Sequence, residues 1–252
     1  MTPVVLWHFR VSHYNEKVRW ALDHKNLPHM RRALVPGFHV PVARWLSGQS
    51  KLPVVRFGER VVAGSNHILL ELESRYPEPA LFPDDPGLCT RAMAIQAYFD
   101  QQVAPDLRRL FWSTYISHPA ACARMATDGF SAATRNLWRA LFPTMRPLFR
   151  RNMRMDAGTL GAARRRMVTY FDYLESEIGP SGYLVGDRFG VADLTAAAVM
   201  TAIIRPREFP YPLPQPWPQE LVDLRQSVAD HPAFRWVLDI YARHRDRSRE
   251  IL

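Results

Sequence analysis

The chain of 252 residues is 47% hydrophobic, 12% aromatic and 23% charged, with a mean hydropathy of −0.22, which permits a substantial core and excludes wholesale disorder. The longest uncharged apolar run, 194–204, falls short of the roughly 20 residues that a bilayer-spanning helix needs. Two cysteines, Cys89 and Cys122, without a CxxC pair, offer neither a disulfide framework nor a local metal site, and a reducing, cytoplasmic setting is expected.

An apolar stretch begins at once, without a basic leader or a small-residue cleavage site, and its β-branched and aromatic residues over 4–9 predict a first strand. Val18, Ala21 and Leu22 recur at helical spacing over 15–25 until Asn26 and Pro28 stop the helix. A second strand fits 30–35, and a short helical or irregular piece around Trp45 and Leu46 follows the turn Pro36-Gly37. Residues 52–56 and 61–62 read as a hairpin, and Ser65 opens a helix with Ile68, Leu69 and Leu72 on one face. The order through residue 76 is β-α-β-α-β-β-α. Four prolines within 76–86 forbid a continuing helix and mark a semi-rigid linker. Beyond it the period is helical: 91–112, a set between 131 and 178, 191–204, and 221–245 interrupted at His231-Pro232. Six prolines between 206 and 218, five of them at alternate positions from Pro210, predict an extended surface segment.

The formal net charge is +9, from 33 Lys and Arg against 24 Asp and Glu. Between Arg108 and Arg166 stand twelve Arg, no Lys and two acids, Asp128 and Asp156, so this block alone carries +10 and the rest of the chain is nearly neutral. Interleaved Trp138, Leu141, Phe142, Leu148 and Phe149 make it a set of basic helices with an apolar face. A solvated face on core helices, a surface for anionic lipid or an acidic partner, and nucleic-acid binding are the readings such a block allows. No helix-turn-helix, zinc-finger or RNA-recognition signature accompanies it, so no nucleic acid is expected.

Four features carry a family resemblance. They are 12–22, where Ser12 precedes the first helix and Lys17-Val18-Arg19 lies within it; 51–55, with Pro53 opening the third strand; Gly64-Ser65-Asn66; and 183–195, Tyr-Leu-Val-Gly-Asp-Arg-Phe-Gly-Val-Ala-Asp-Leu-Thr. In these the sequence resembles the glutathione transferase superfamily over nearly its whole length. The resemblance implies an α/β plus all-α architecture: a thioredoxin-like, glutathione-binding domain at 1–78, a proline-rich linker at 79–90, and an all-helical, substrate-binding bundle at 91–252. It also implies a homodimer.

Ser12, between the first strand and the first helix, stands where a hydroxyl either caps backbone N–H groups or stabilises a thiolate at the positive end of the helix dipole. The resemblance makes Ser12 the catalytic residue, a cis Pro53 the device that turns the Leu52 backbone toward an extended glutathione, Lys51 the partner of its glycyl carboxylate, and Ser65 the partner of its γ-glutamyl carboxylate. Gly64 departs from the acidic residue or Gln usual in the family and has no side chain for the ligand's α-amino group. Glu59 or Asp100, from a neighbouring loop or subunit, are the candidates to compensate. Asn15 stands where redox relatives carry a second cysteine, so disulfide exchange is not expected. His8, at the end of the first strand, is read as a packing residue. Asp193, at N3 of its helix, is expected to bond back to backbone N–H groups. Phe111, Trp112 and Tyr115 either line an apolar pocket for an electrophile or pack in the core. No His falls into metal-ligand spacing, and no metal is expected. The function expected is conjugation of the glutathione thiolate to an apolar electrophile. The alternative is a non-catalytic binding or scaffold protein on the same fold that docks anionic membrane through 108–166.

Overall fold

The computed structural model describes residues 3–245 and 247–251; the outermost residues of the two expected domains, 1, 2 and 252, lie outside them. Four strands, β1 (Val4–His8), β2 (His29–Ala33), β3 (Val54–Phe57) and β4 (Arg60–Ala63), form one sheet in the order β2-β1-β3-β4. β1 and β2 run parallel across α1 (His13–His24), and the other pairings are antiparallel. α2 (Val40–Ser47) precedes β3, and α3 (Ser65–Arg75) follows β4. The register pairs Trp7 with Val54 and Val54 with Ala63. It therefore brings the loop after β1, the residues before β3 and the start of α3 to one end of the sheet.

Among the described residues, 76–85 contains neither helix nor strand, as its prolines dictate. The helical part comprises α4 (Pro86–Tyr98), α5 (Ala104–Ile116), α6 (Pro119–Ala126), α7 (Ala132–Asn152), α8 (Ala157–Glu177), α9 (Val191–Met200), α10 (Gln219–Gln226) and α11 (Pro232–His244). A π-helical stretch, Phe99–Val103, joins α4 to α5, so the single expected helix over 91–112 has an irregular turn within it. α6 is an addition to the expected set. Its Ala-rich run has only Cys122, Ala123, Met125 and Ala126 buried, too short a pattern to register as a period.

α9 organises the junction: all ten of its residues are buried, and it packs against α1, α4 and α11. Asp193 behaves as expected, accepting N–H bonds from Gly190 at 2.9 Å and Leu184 at 2.8 Å. Because α1 lies between the sheet and α9, its polar residues Glu16, Lys17, Arg19 and Asp23 are buried along with its apolar face. They are tolerated only because each is paired.

The alternating-proline segment is the extended, partly exposed segment expected, pinned to the molecule at two points. It has neither helix nor strand over 210–218, but Phe209 and Leu213 are buried. The aromatic residues between the prolines hold it against the molecule: Phe209 and Tyr211 lie 5.6 and 5.0 Å from the Arg19 guanidinium. At the other end of the sheet order, the C-terminal tail pairs with His29, the first residue of β2. The His29 N–H donates to the Arg249 carbonyl at 3.2 Å, and the Ile251 N–H donates to the His29 carbonyl at 2.8 Å.

Candidate functional site

Ser12 caps α1 in extended conformation (φ −84°, ψ 128°). Its Oγ accepts the Asn15 N–H at 3.4 Å, the long end of a hydrogen bond. Among the described residues no acceptor takes the Ser12 hydroxyl proton. The cap is thus real but weak, and the proton is free for an anion.

The loop carrying Ser12 is braced by Arg19, a role the sequence reading missed. Its guanidinium donates to the carbonyls of Phe9 at 2.9 Å, Arg10 at 3.2 Å and Ser12 at 3.4 Å, and lies 2.9 Å from His8 Nδ1. Glu16 Oε2 receives its Nε–H at 2.7 Å. His8 is fully buried, and burial first, then the Arg19 charge, hold its pKa well below the usual range. It is a neutral acceptor in this brace, in keeping with the packing role expected of it.

The Leu52–Pro53 peptide is cis, and the Pro53 carbonyl accepts the Gly64 N–H at 3.1 Å, tying the turn to the start of α3. The ladder begins at Val54, so the Leu52 backbone stands outside it. Lys51 is exposed. Gly64 has φ +91°, in the left-handed region. A Cβ there would make an ordinary van der Waals contact with His67 Nδ1 at 3.5 Å, so conformation, rather than crowding, favours glycine, and a residue with a side chain would carry about 1–3 kcal/mol of strain. Having no side chain, Gly64 leaves the first N–H groups of α3 without a side-chain cap, and Ser65, nearly buried, is the first helical residue.

Of the two residues expected from sequence to compensate for Gly64, Asp100 is engaged through one carboxylate oxygen and its Oδ1 has no partner among the described residues. Asp100 Oδ2 binds the buried Lys17 Nζ at 2.7 Å, and Lys17 also donates to Asn66 Oδ1 at 2.5 Å, which takes the Gln96 amide as well at 3.1 Å. Through Oδ2 the Asp100 carboxylate therefore neutralises a buried ammonium, which in turn holds the Asn66 side chain. Glu59 stands at the opposite end of β4 from Gly64.

The three aromatic residues on α5 are buried and divide into two directions. Trp112 packs edge-on against Phe149 of α7, with centroids 4.8 Å apart. Phe111 and Tyr115 pack on each other at 5.1 Å, and the Arg205 guanidinium lies 4.5 Å from the Phe111 ring centre. His13, next to Ser12, is buried, and its pKa is pushed down to about 3 by burial and then by the charges of Arg108, Arg205 and Lys17. A cavity between the linker and the loop before α9 is lined by Phe82, Asp85, Val185, Phe189 and Asp193 and by neither Ser12 nor Ser65. It belongs to the structural junction.

The chain matches the family model of the glutathione S-transferase N-terminal domain over residues 6–80 and that of the C-terminal domain over 137–232. It is 27% identical over 210 residues to the glutathione S-transferase TCHQD of Arabidopsis thaliana, covering 79% of this chain and 76% of the relative. Among solved structures, it resembles a glutathione S-transferase of Methylobacterium radiotolerans in complex with glutathione sulfonate (TM-score 0.55, 24% identity, 94% of this chain and 95% of that one). It also resembles the β-etherase LigF of Sphingobium sp. strain SYK-6 (TM-score 0.60, 18% identity, 94% and 99% covered). With a sheet domain and a helical domain each matched by its own family model, and with a cis proline and a helix-capping serine meeting at one end of the sheet, the chain belongs to the glutathione transferase superfamily.

Proposed function

We propose that this protein conjugates glutathione to an electrophile, with Ser12 holding the thiolate. The observation that carries the reading is the register of the sheet, which sets Ser12, the cis Leu52–Pro53 turn and the N-terminus of α3 side by side. The cysteinyl backbone of an extended glutathione pairs with Leu52, its γ-glutamyl carboxylate meets Ser65 and the uncapped N–H groups of α3, and Lys51 reaches its glycyl carboxylate. A free thiol has a pKa of about 8.5, and a hydrogen bond from the Ser12 hydroxyl, together with the α1 N-terminus, favours the anion. The sulfur then attacks the electrophilic carbon. With an aryl halide, the C–S bond forms, the carbon–halogen bond breaks, the halide leaves with the electron pair, and the thiol proton has already passed to solvent.

With chlorodinitrobenzene as electrophile, Ser12→Ala is expected to lower kcat/KM at neutral pH about tenfold or more, as losing one unit of thiol acidification requires. The ultraviolet absorbance of bound thiolate should then titrate at higher pH in the variant than in the wild type. Equal rates and equal titration midpoints would remove Ser12 from the chemistry, and no glutathione binding by calorimetry would remove the reading altogether.

A second reading, independent of the first, is favoured by the outer face of α7. Leu137, Leu141 and Leu148 are exposed there on one side of the helix, with exposed Arg151 beside them and exposed Arg139 and Arg150 on the opposite side. Among the described residues none of these three arginines has a carboxylate partner. An apolar stripe on a helix that also carries guanidinium groups without carboxylate partners suits the headgroup region of an anionic bilayer, each cation contributing about 1 kcal/mol near such a surface. Flotation with phosphatidylserine-containing vesicles at low salt should recover the protein, and Arg150→Glu/Arg151→Glu should abolish recovery. Equal recovery with neutral vesicles would overturn this reading.

A further inference from the structure

Four acidic residues near the junction of the two domains are paired with cations, and Asp193 accepts backbone N–H groups. Glu16 binds Arg19 and Arg245, Asp23 binds Arg31 and Arg245, Asp100 binds Lys17, and Asp106 binds Arg109 and Arg166. Arg205 is left over. Its three guanidinium nitrogens are shut off from solvent and have no hydrogen-bond partner among the described residues. It remains protonated at neutral pH, since burial lowers its pKa only to about 10. Its backbone also sits at φ +55°, a conformation that L residues other than Asn and Asp seldom adopt. An unpaired buried charge and a strained backbone at one residue are two separate costs, and costs of both kinds gather at functional sites.

The surroundings indicate what would pair with it. The guanidinium lies against the rings of Phe111 and Phe209, at 4.5 and 5.4 Å. Its charge acts on Tyr115, whose buried hydroxyl is also without a partner, and on His13, the residue after Ser12. Arg108, one turn before Phe111 on α5, acts on the same imidazole, and its buried Nε is likewise unpartnered. Aromatic faces, a spare hydroxyl and two cations without carboxylates thus gather within electrostatic reach of His13, the residue that follows Ser12.

We propose that Arg205 binds a carboxylate carried by the second substrate, so that the electrophile is an acidic molecule with an aromatic or otherwise planar body, held by Arg205 and Tyr115 over Phe111. The proposal rests on the transferase reading for the identity of its ligand, and it narrows the apolar electrophile expected from the sequence to an anionic one. A guanidinium fork and a carboxylate form paired, charge-assisted bonds, which a neutral isostere cannot match.

The test compares chloronitrobenzoate with the matching chloronitrobenzamide, on wild type and Arg205→Met, by calorimetry, thermal melting and conjugation rate. Without ligand, Arg205→Met should melt a few degrees higher than wild type, because an unpaired buried charge has been replaced by an apolar chain of similar length. The benzoate should bind wild type at least tenfold more tightly than the benzamide, and Arg205→Met should lose that preference while binding the benzamide and glutathione as before. Should Arg205→Met fail to fold, Arg205→Lys, which keeps the charge without the fork, should show a reduced preference. Equal binding of the two arenes by wild type, or a preference that survives in both variants, would overturn the assignment. So would inorganic phosphate raising the wild-type melting temperature as much as the benzoate does, since the site would then take a free anion. An Arg205-dependent preference for the benzoate without conjugation of either arene would uphold the anion site and overturn the transferase reading. Conjugation of both arenes at equal kcat/KM would do the reverse.

Discussion

Glu16→Ala is expected to lower the unfolding free energy by about 3–5 kcal/mol, the range for removing one partner of a buried ion pair. Glu16 is fully buried, and both of its oxygens are engaged: Oε2 with Arg19 Nε and Oε1 with Arg245 Nε, each at 2.7 Å. Truncation would strand Arg19 without a carboxylate and leave Arg245 with Asp23 alone, at 2.8 Å. Glu16 and Asp23 hold the Arg245 pKa above the usual arginine range against burial, whereas burial lowers that of Arg19 even with Glu16 in place, so removing Glu16 takes away a group that favours the charge on both. Glu16→Gln keeps the shape and one acceptor and should cost less, about 1.5–3 kcal/mol, the worth of a hydrogen bond to a charged group. The two variants also separate folding from chemistry, because Arg19 braces the carbonyls of Phe9, Arg10 and Ser12. Below the unfolding transition, Glu16→Gln should bind glutathione with weakened thiolate formation even where its circular dichroism is native. Urea unfolding at neutral pH is the measurement, and a Glu16→Ala midpoint equal to that of the wild type with an unchanged slope would show that the network contributes nothing.

That network also marks where the sequence stops being legible. The element order through residue 76, the hairpin at β3 and β4, the Ser65 helix start, the proline run before α4 and the Asp193 cap each follow from residues adjacent in the chain, and local physics was enough to read them. The expected linker over 79–90 ends early, because Asp85 caps α4 with Pro86 as its first residue. The pairing of Glu16 with Arg245 was not legible, because the two are brought together only by the packing of α9 and α11 on α1. Read alone, Glu16, Lys17 and Arg19 look like the solvated side of an amphipathic helix, and nothing local shows that a second layer covers it. Asp100 illustrates the same limit from the other direction. It is an acid at a plausible distance along the chain for a ligand amine, and only the fold reveals that Lys17 already holds it. At the candidate site, the capping serine was legible because its type and position are local, whereas the cis state of Pro53 was expected only through the family resemblance. Arg205 was not legible, because its significance lies in the partners that it lacks.

Acidification from pH 7.5 to about 5 is expected to remove about 3 kcal/mol of stability through three groups alone, before others of the same sign add to it. His13 and His29 are buried, and their pKa values are lowered from 6.5 to about 3 and about 4, chiefly by burial. The geometry of His29 gives the reason a proton is refused. Its Nδ1 lies 2.8 Å from the Leu27 carbonyl, leaving Nε2 to accept the Arg31 Nε–H at 2.9 Å, so a second ring proton would face a guanidinium N–H. With folded pKa values below the unfolded one, the unfolded chain gains protons that the folded chain cannot as pH falls from 6.5 toward 4. Stability therefore drops across that window, by about 2 kcal/mol per histidine at pH 5. Asp193 has the opposite sign. Burial raises its pKa from 3.8 to about 6, so the folded state takes up its proton first and recovers about 1 kcal/mol by pH 5. His8 and His24, both lowered by burial, add to the loss. Urea midpoints measured across this range by tryptophan fluorescence should fall steadily below pH 6.5, and a flat profile would mean that these rings take up protons in the fold. His29→Gln, which retains an acceptor for Arg31 and cannot titrate, should lessen the slope between pH 6.5 and 5 relative to wild type. An unchanged slope would assign the proton uptake of the unfolded chain to the other histidines.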